Sequence, residues 1–202
     1  MLAVISNPTP IANEARLINA LFGEGMEVFH LRKPGASINE LRVLLDKIKQ
    51  CYHPQIALHQ HHSLAEDYSL KRRHFTEAKR EHMSEEELLQ LKKSDFILST
   101  SIHKIQEYKK LSSCFSYTFF GPVFSSISKE GYISTLPNEF VFPVEKNHLK
   151  VIALGGINAG NIGEAIKMRF DGVAVLGTIW LKTNESIQQF KAVKKAWKQT
   201  GK

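Results

Sequence analysis

The sequence predicts a single (β/α)₈ (TIM) barrel over residues 1–202, on three observations. Apolar runs of strand length recur about every 25 residues along the whole chain, each followed by a helical pattern or a loop standing in for one. Two neighbouring runs near the C-terminus stop at glycines: Val151-Ile152-Ala153-Leu154 at Gly155-Gly156, and Gly172-Val173-Ala174-Val175-Leu176 at Gly177-Thr178. The length of 202 residues leaves no room for a second domain. A doubly wound open sheet is the competing arrangement, and it too gathers the candidate residues at strand C-termini.

Leu2 to Ser6 forms the first strand, and Ile11, Ala15, Ile18, Leu21 and Phe22 recur at helical spacing until Gly23 and Gly25. Glu27 to Leu31 is the second strand. After the loop Lys33-Pro34-Gly35-Ala36, Ser37 and Glu40 make a capping box for a helix that places Ile38, Leu41, Leu44, Leu45 and Ile48 on one face. Pro54 resets the chain before a third strand, Gln55 to His59, and a short helix follows through Tyr68. Arg72 to Thr76 is the fourth strand. Ser84 and Glu87 form a second capping box ahead of Leu88, Leu89 and Leu91, and Asp95 to Ser99 is the fifth strand. His103 opens a helix to Leu111, and the sixth strand, Ser116 to Phe120, stops at Gly121-Pro122. The weakly periodic stretch from Ser125 to Asn147 has the length of a functional lid. After the seventh strand Asn158 caps a helix from Asn161 to Met168, and after the eighth Glu185 to Lys198 is a last amphipathic helix.

With 43% hydrophobic and 23% charged residues, the composition is that of an ordinary globular protein. The N-terminal residues carry no basic leader and no long apolar run, so neither a signal peptide nor a membrane span is expected. Cys51 and Cys114 have no metal or redox spacing, which suits a reducing compartment, and a cytoplasmic location is expected. The net charge of +7 is not organised for nucleic acid, because Lys71-Arg72-Arg73 is the only tight basic run and no aromatic stacking surface accompanies it. An anionic small molecule suits that charge better. A homo-oligomer is compatible with the chain, which does not specify one.

Bare backbone N–H groups beside a helix N-terminus, which carries roughly half a positive charge, favour a phosphate group. Gly155, Gly156, Gly177 and Thr178 therefore read as a phosphate cradle, in the loops where barrels most often bind phosphate. Arg32 follows the second strand, where its guanidinium can clamp a phosphate or carboxylate, and Lys33 adds a less directional charge. A surface ion pair with a loop acid is the alternative use of that charge. At the end of the fifth strand Ser101 can donate to a phosphate oxygen, while His103 can cap the turn or exchange a proton. Ser128 and Lys129 sit in the lid-like stretch, where a lysine could close over a bound anion. His30, His59 and His74 lie near the ends of consecutive strands, and three imidazoles would favour a zinc-like ion. No metal site is assigned, because the run His59-Gln60-His61-His62 reads as exposed and lacks carboxylates to orient it.

These residues together resemble the thiamine-phosphate-synthase and TenI family over essentially the full length. The resemblance is carried by Phe29-His30-Leu31-Arg32-Lys33, Ser101-Ile102-His103, Gly121-Pro122-Val123-Phe124 with Ser128-Lys129, Ile152 to Ile157, and Asp171 to Val175. It implies a (β/α)₈ barrel holding a thiazole phosphate on the Gly155-Gly156 and Gly177 loops. Synthases of the family join a hydroxymethylpyrimidine diphosphate to a hydroxyethylthiazole phosphate with loss of diphosphate, whereas TenI members tautomerise a thiazole carboxylate phosphate.

Departures from both patterns are informative. Where synthases carry an Asn-Asp pair whose Asp binds Mg²⁺, this chain has His59-Gln60, and no acid clearly takes the second Mg²⁺ position near Glu77-Ala78-Lys79. The Gln that recognises the pyrimidine is His30 here, as in TenI-like members. Pro122 stands where the family's tautomerase has a His, and proline moves no proton, so tautomerisation would need His103 or His30 as its base. The sequence therefore favours a TenI-like protein that tautomerises or otherwise handles a thiazole phosphate, with no certain cofactor and Mg²⁺ only if the synthase alternative holds. One alternative is a synthase whose Mg²⁺ site is altered, recruiting Glu77 or Glu81. The other is a non-catalytic phosphate-ligand-binding regulator.

Overall fold

The computed structural model describes residues 1–125, 136–137, 139–143 and 149–201. Ser128 and Lys129, and much of the expected lid, lie outside the described residues. Eight parallel strands close into a barrel in sequence order: β1 (Leu2–Ile5), β2 (Val28–Leu31), β3 (Ile56–Leu58), β4 (Arg72–Phe75), β5 (Ile97–Ile102), β6 (Phe115–Phe120), β7 (Lys150–Leu154) and β8 (Gly172–Val175), with β8 returning to β1. The helices are α1 (Glu14–Gly23), α2 (Ile38–Asp46), α3 (Leu64–Asp67), α4 (Glu77–Glu81), α5 (Glu85–Lys93), α6 (Ile105–Tyr108), α7 (Ile162–Lys167), α8 (Gly177–Trp180) and α9 (Ser186–Gln199).

The period-two alternation of the strands sorts the core into two layers. Residues facing outward, such as Val4, Phe29, Leu31, Leu58 and Val151, pack with the apolar faces of the helices. Ala3, Ile5, Val28, Tyr117, Phe119, Ile152 and Ala174 pack together inside the barrel. Both capping boxes form: Ser37 and Ser84 each accept from the backbone of the glutamate three residues on, whose carboxylate returns to the cap amide. Between β6 and β7 the described residues form no helix, and Phe140 and Phe142 pack instead against Phe120 and Phe170, closing that side of the barrel.

Four local expectations are corrected. Strand β5 starts at Ile97, because Asp95 adopts a left-handed conformation (φ 63°) that turns the chain out of α5, and the strand continues through Ser101. Gln55, expected to open the third strand, ends a 3₁₀ segment, Gln50–Gln55, and β3 starts at Ile56. The helix after His103 is the short α6. Asn158 does not cap α7; its Oδ1 accepts from Gly160 and closes the turn before it, while Asn161 at the helix start ties Gly156 and Asn158 together.

Candidate functional site at the C-terminal mouth of the barrel

The C-terminal ends of the strands surround a cavity of about 610 Å³. Gly155 and Gly156 line it from β7, and Gly177 and Thr178 from β8, so the two turns meet in one space. Gly155 (φ 101°) and Gly156 (φ 63°) occupy backbone conformations that side chains resist. A Cβ would also lie 2.8 Å from Pro122 Cα at the first and 2.5 Å from the Ser125 carbonyl oxygen at the second. The segment after β6 can rest here only on bare backbone, and it does, with Val123 N–H donating to Leu154 O and Phe124 N–H to Gly155 O. The amides of Gly156, Gly177 and Thr178 donate to no acceptor among the described residues, which leaves three N–H groups for a ligand. The Thr178 hydroxyl is used internally, donating to Ile157 O at 2.5 Å.

Arg32 and Lys33 part company. Arg32, inward-facing in register with His30, lines the cavity, and its guanidinium has no ion pair or hydrogen bond among the described residues. Lys33 faces the other way. Its buried Nζ donates to both Glu14 oxygens at 2.6 and 2.7 Å and to Thr9 O at 2.8 Å, so the expectation that it binds phosphate is corrected. Burial pushes the Glu14 carboxyl up and the Lys33 ammonium pulls it back.

Ser101 and His103 both line the cavity. Ser101 Oγ bonds His74 Nε2 at 3.0 Å. His103 Nδ1 is 2.7 Å from Gly121 O; a carbonyl only accepts, so Nδ1 carries the proton and Nε2 of the neutral ring keeps its lone pair. His30 is fully buried and does not reach the cavity, which corrects its assignment as a base in contact with substrate. It instead bonds the Tyr117 hydroxyl through Nε2 at 2.8 Å and His59 Nε2 through Nδ1 at 2.9 Å.

His59 is buried, not exposed as its sequence neighbours suggest, and with His74 it forms the cavity floor. Desolvation holds His30 and His59 well below the usual imidazole range and His74 at about 3, with neighbouring imidazoles and Arg72 or Arg32 adding to it. Across the cavity, α4 brings Glu77 and Glu81 to the wall. Thr76 caps this helix, and Arg80 fastens it to β5 through Thr100 Oγ1 and Ser101 O at 3.1 and 2.8 Å. In the sequence Glu77 and Glu81 stand out only as substitute Mg²⁺ ligands. The signal available was Thr76, an N-cap residue just before an acidic first turn.

Uncovered backbone amides, the Arg32 guanidinium and the Glu77 and Glu81 carboxylates thus surround one mouth of a (β/α)₈ barrel. The chain belongs to the thiamine monophosphate synthase (TMP-TENI) family, whose profile matches residues 2–179. The thiamine-phosphate synthase of Anoxybacillus flavithermus (strain DSM 21510 / WK1) is 31% identical over 88 residues, 42% of this chain and 41% of that protein. That of Staphylococcus saprophyticus subsp. saprophyticus is 30% identical over 99 residues, 46% and 47% of the two chains. The matches thus span less than half the length of these curated relatives. The crystal structure of thiamine phosphate pyrophosphorylase from Bacteroides thetaiotaomicron superposes with a TM-score of 0.73 at 26% identity, covering 98% of this chain and 97% of that one. Family members handle small phosphorylated substrates, and among the described residues no helix is long and apolar enough to cross a membrane.

Proposed function

We propose that this barrel is a thiamine-phosphate synthase, joining hydroxymethylpyrimidine diphosphate to hydroxyethylthiazole phosphate with release of diphosphate. The reading rests chiefly on Glu77 and Glu81 sharing one cavity with Arg32 and the glycine turns. Pro122 at the end of β6 and the synthases named above weigh the same way, against the tautomerase that the sequence favours. The Mg²⁺ of such enzymes fits this chain: two carboxylates one helical turn apart are hard oxygen donors, and a diphosphate completes such a shell. When bound, Mg²⁺ would neutralise charge on the departing diphosphate.

The chain's own residues do the rest. The amides of Gly156, Gly177 and Thr178 hold the thiazole phosphate, fixing the thiazole nitrogen toward the exocyclic methylene of the pyrimidine. Arg32 pairs with the diphosphate oxygens whose charge grows as the carbon–oxygen bond breaks. Phe119, Pro122 and Leu154 wall the cavity and keep water from the reacting carbon.

Incubation with both substrates and Mg²⁺ should yield thiamine phosphate and diphosphate, and Glu77→Gln with Glu81→Gln should lower kcat at least about 100-fold. A second reading has its own support: the Nε2 lone pair of His103 is a base placed at the cavity, which a tautomerase needs. Interconversion of thiazole carboxylate phosphate tautomers, abolished by His103→Ala, together with no condensation, would decide for it.

A further inference from the structure

We propose that His30, His59 and His74 form a binding site for a zinc-class divalent ion in the barrel interior, beneath the phosphate cavity and separate from any Mg²⁺ on α4. Each offers one ring nitrogen, and these three atoms lie within 4.8 Å of one another. They come from consecutive strands β2, β3 and β4, so the scaffold is rigid sheet and not loop. Their donor set is nitrogen alone, which selects zinc-like ions over Mg²⁺.

The partners of the rings supply what a metal site needs next. Tyr117 Oη meets His30 Nε2 and Ser99 Oγ meets His74 Nδ1, at 2.8 and 2.9 Å. With those nitrogens carrying the protons, His30 Nδ1 and His74 Nε2 are the lone pairs, as in sites whose ligands are oriented by outer hydrogen bonds. Two of the rings now hydrogen-bond to one another. His30 Nδ1 and His59 Nε2 stand 2.9 Å apart, whereas ligands at about 2.0–2.1 Å from a tetrahedral zinc are roughly 3.3 Å apart. Loading therefore exchanges the His30–His59 and His74–Ser101 hydrogen bonds for metal–nitrogen bonds, with His59 and His74 already stacked at a centroid distance of 3.9 Å.

Three neutral ligands leave the fourth position open, as in catalytic zinc sites. His59 and His74 line the cavity, so that position faces the mouth. No carboxylate belongs to the cluster, and Arg32 and Arg72 act on it electrostatically. The fourth ligand is accordingly an anion, a phosphate oxygen or hydroxide. Metal and phosphate then bind cooperatively, each tightening the other by the same factor.

The test uses the full chain, stripped with chelator and titrated with Co²⁺ and then Zn²⁺, with and without inorganic phosphate. The expected result is equimolar uptake, a tetrahedral Co²⁺ spectrum that Zn²⁺ erases, and affinity raised about fivefold or more by phosphate. His59→Gln and His74→Gln should each weaken binding at least about tenfold, with His61→Gln and His82→Gln as unaffected surface controls. An anomalous signal at the zinc edge of a soaked crystal should fall among the three rings, which decides the matter even where a variant fails to fold. Absence of uptake by the wild-type chain, unchanged affinity in folded His59→Gln and His74→Gln variants, or an ion located elsewhere overturns the proposal. None of these readouts depends on which reaction the cavity catalyses.

Discussion

The two sides of the barrel interior are built from different materials. From β7 through β8 to β1 the inward residues are Ile152, Ala174, Ala3 and Ile5, small or branched and apolar, and this sector ends in turns that present backbone amides. From β2 to β6 the inward set includes His30, His59, His74, Ser99 and Tyr117, joined by hydrogen bonds. The first sector exposes backbone, at Gly155 and Gly156, in a geometry that side chains resist. Among the described residues, the second holds the buried imidazoles of His30, His59 and His74, and burial there favours their neutral form. Apolar packing and polar side-chain networks are thus divided between halves of one closed sheet.

Acid should separate the halves most strongly. His30 and His59 are held well below the ordinary value of 6.5, His62 at about 4 and His74 at about 3, burial being the leading cause in each. Above pH 6.5 folded and unfolded chains are alike at these sites. Below it the unfolded chain takes up protons that the barrel refuses, so stability is full above about pH 6.5 and declines toward pH 3, by about 1 kcal/mol per pH unit for each histidine. Urea titrations at pH 7.5, 6 and 5 should show this decline, and a His74→Asn variant should show a shallower one. A pH-independent midpoint would mean that the rings are already charged or solvated.

The ion pair gives the next contrast. Lys33→Met leaves Glu14 buried without its partner and should cost about 3 kcal/mol of stability, while thiazole phosphate binding in the folded fraction stays near wild type. Arg32→Met should do the reverse, leaving the melting temperature nearly unchanged and weakening phosphate binding about tenfold. Exchange of these two outcomes would show that the neighbours' roles are assigned backwards.

In the apolar sector, Gly156→Val combines a left-handed backbone with a Cβ against the Ser125 carbonyl. Strain and overpacking together amount to about 2–3 kcal/mol, and relieving them displaces the Gly156 amide, so phosphate affinity should fall by about 30- to 150-fold. Calorimetric titration of the folded variant reads this directly. Thr178→Val should have the smallest effect, because the amide and not the hydroxyl faces the ligand, and affinity within about threefold of wild type is expected.

Much of this was legible in the sequence. The strand repeat, the closing glycines and both capping boxes rest on local chemistry that a single chain displays. Parity within β2 even separates Arg32 from Lys33, since 28, 30 and 32 face inward and 33 does not. The partner Glu14 could not be read, because it is nineteen residues away and meets Lys33 only through the β2–α1 packing. The histidine cluster was legible only in part: the sequence places His30, His59 and His74 near the ends of consecutive strands, but alternation says only that a residue points inward, and the register between strands says at what depth. His59 beside Gln60, His61 and His62 therefore looks exposed until the barrel closes over it. Helix α4 escaped because its five residues carry no apolar period.

The central claim is that the amides of Gly156, Gly177 and Thr178 form one anion site at the mouth. A crystal structure of the complex with hydroxyethylthiazole phosphate tests it most directly. The account predicts phosphate oxygens within about 3 Å of those three nitrogens, with the ring directed toward His59 and Arg32. A phosphate seated elsewhere, with the two glycine turns left bare, would contradict it.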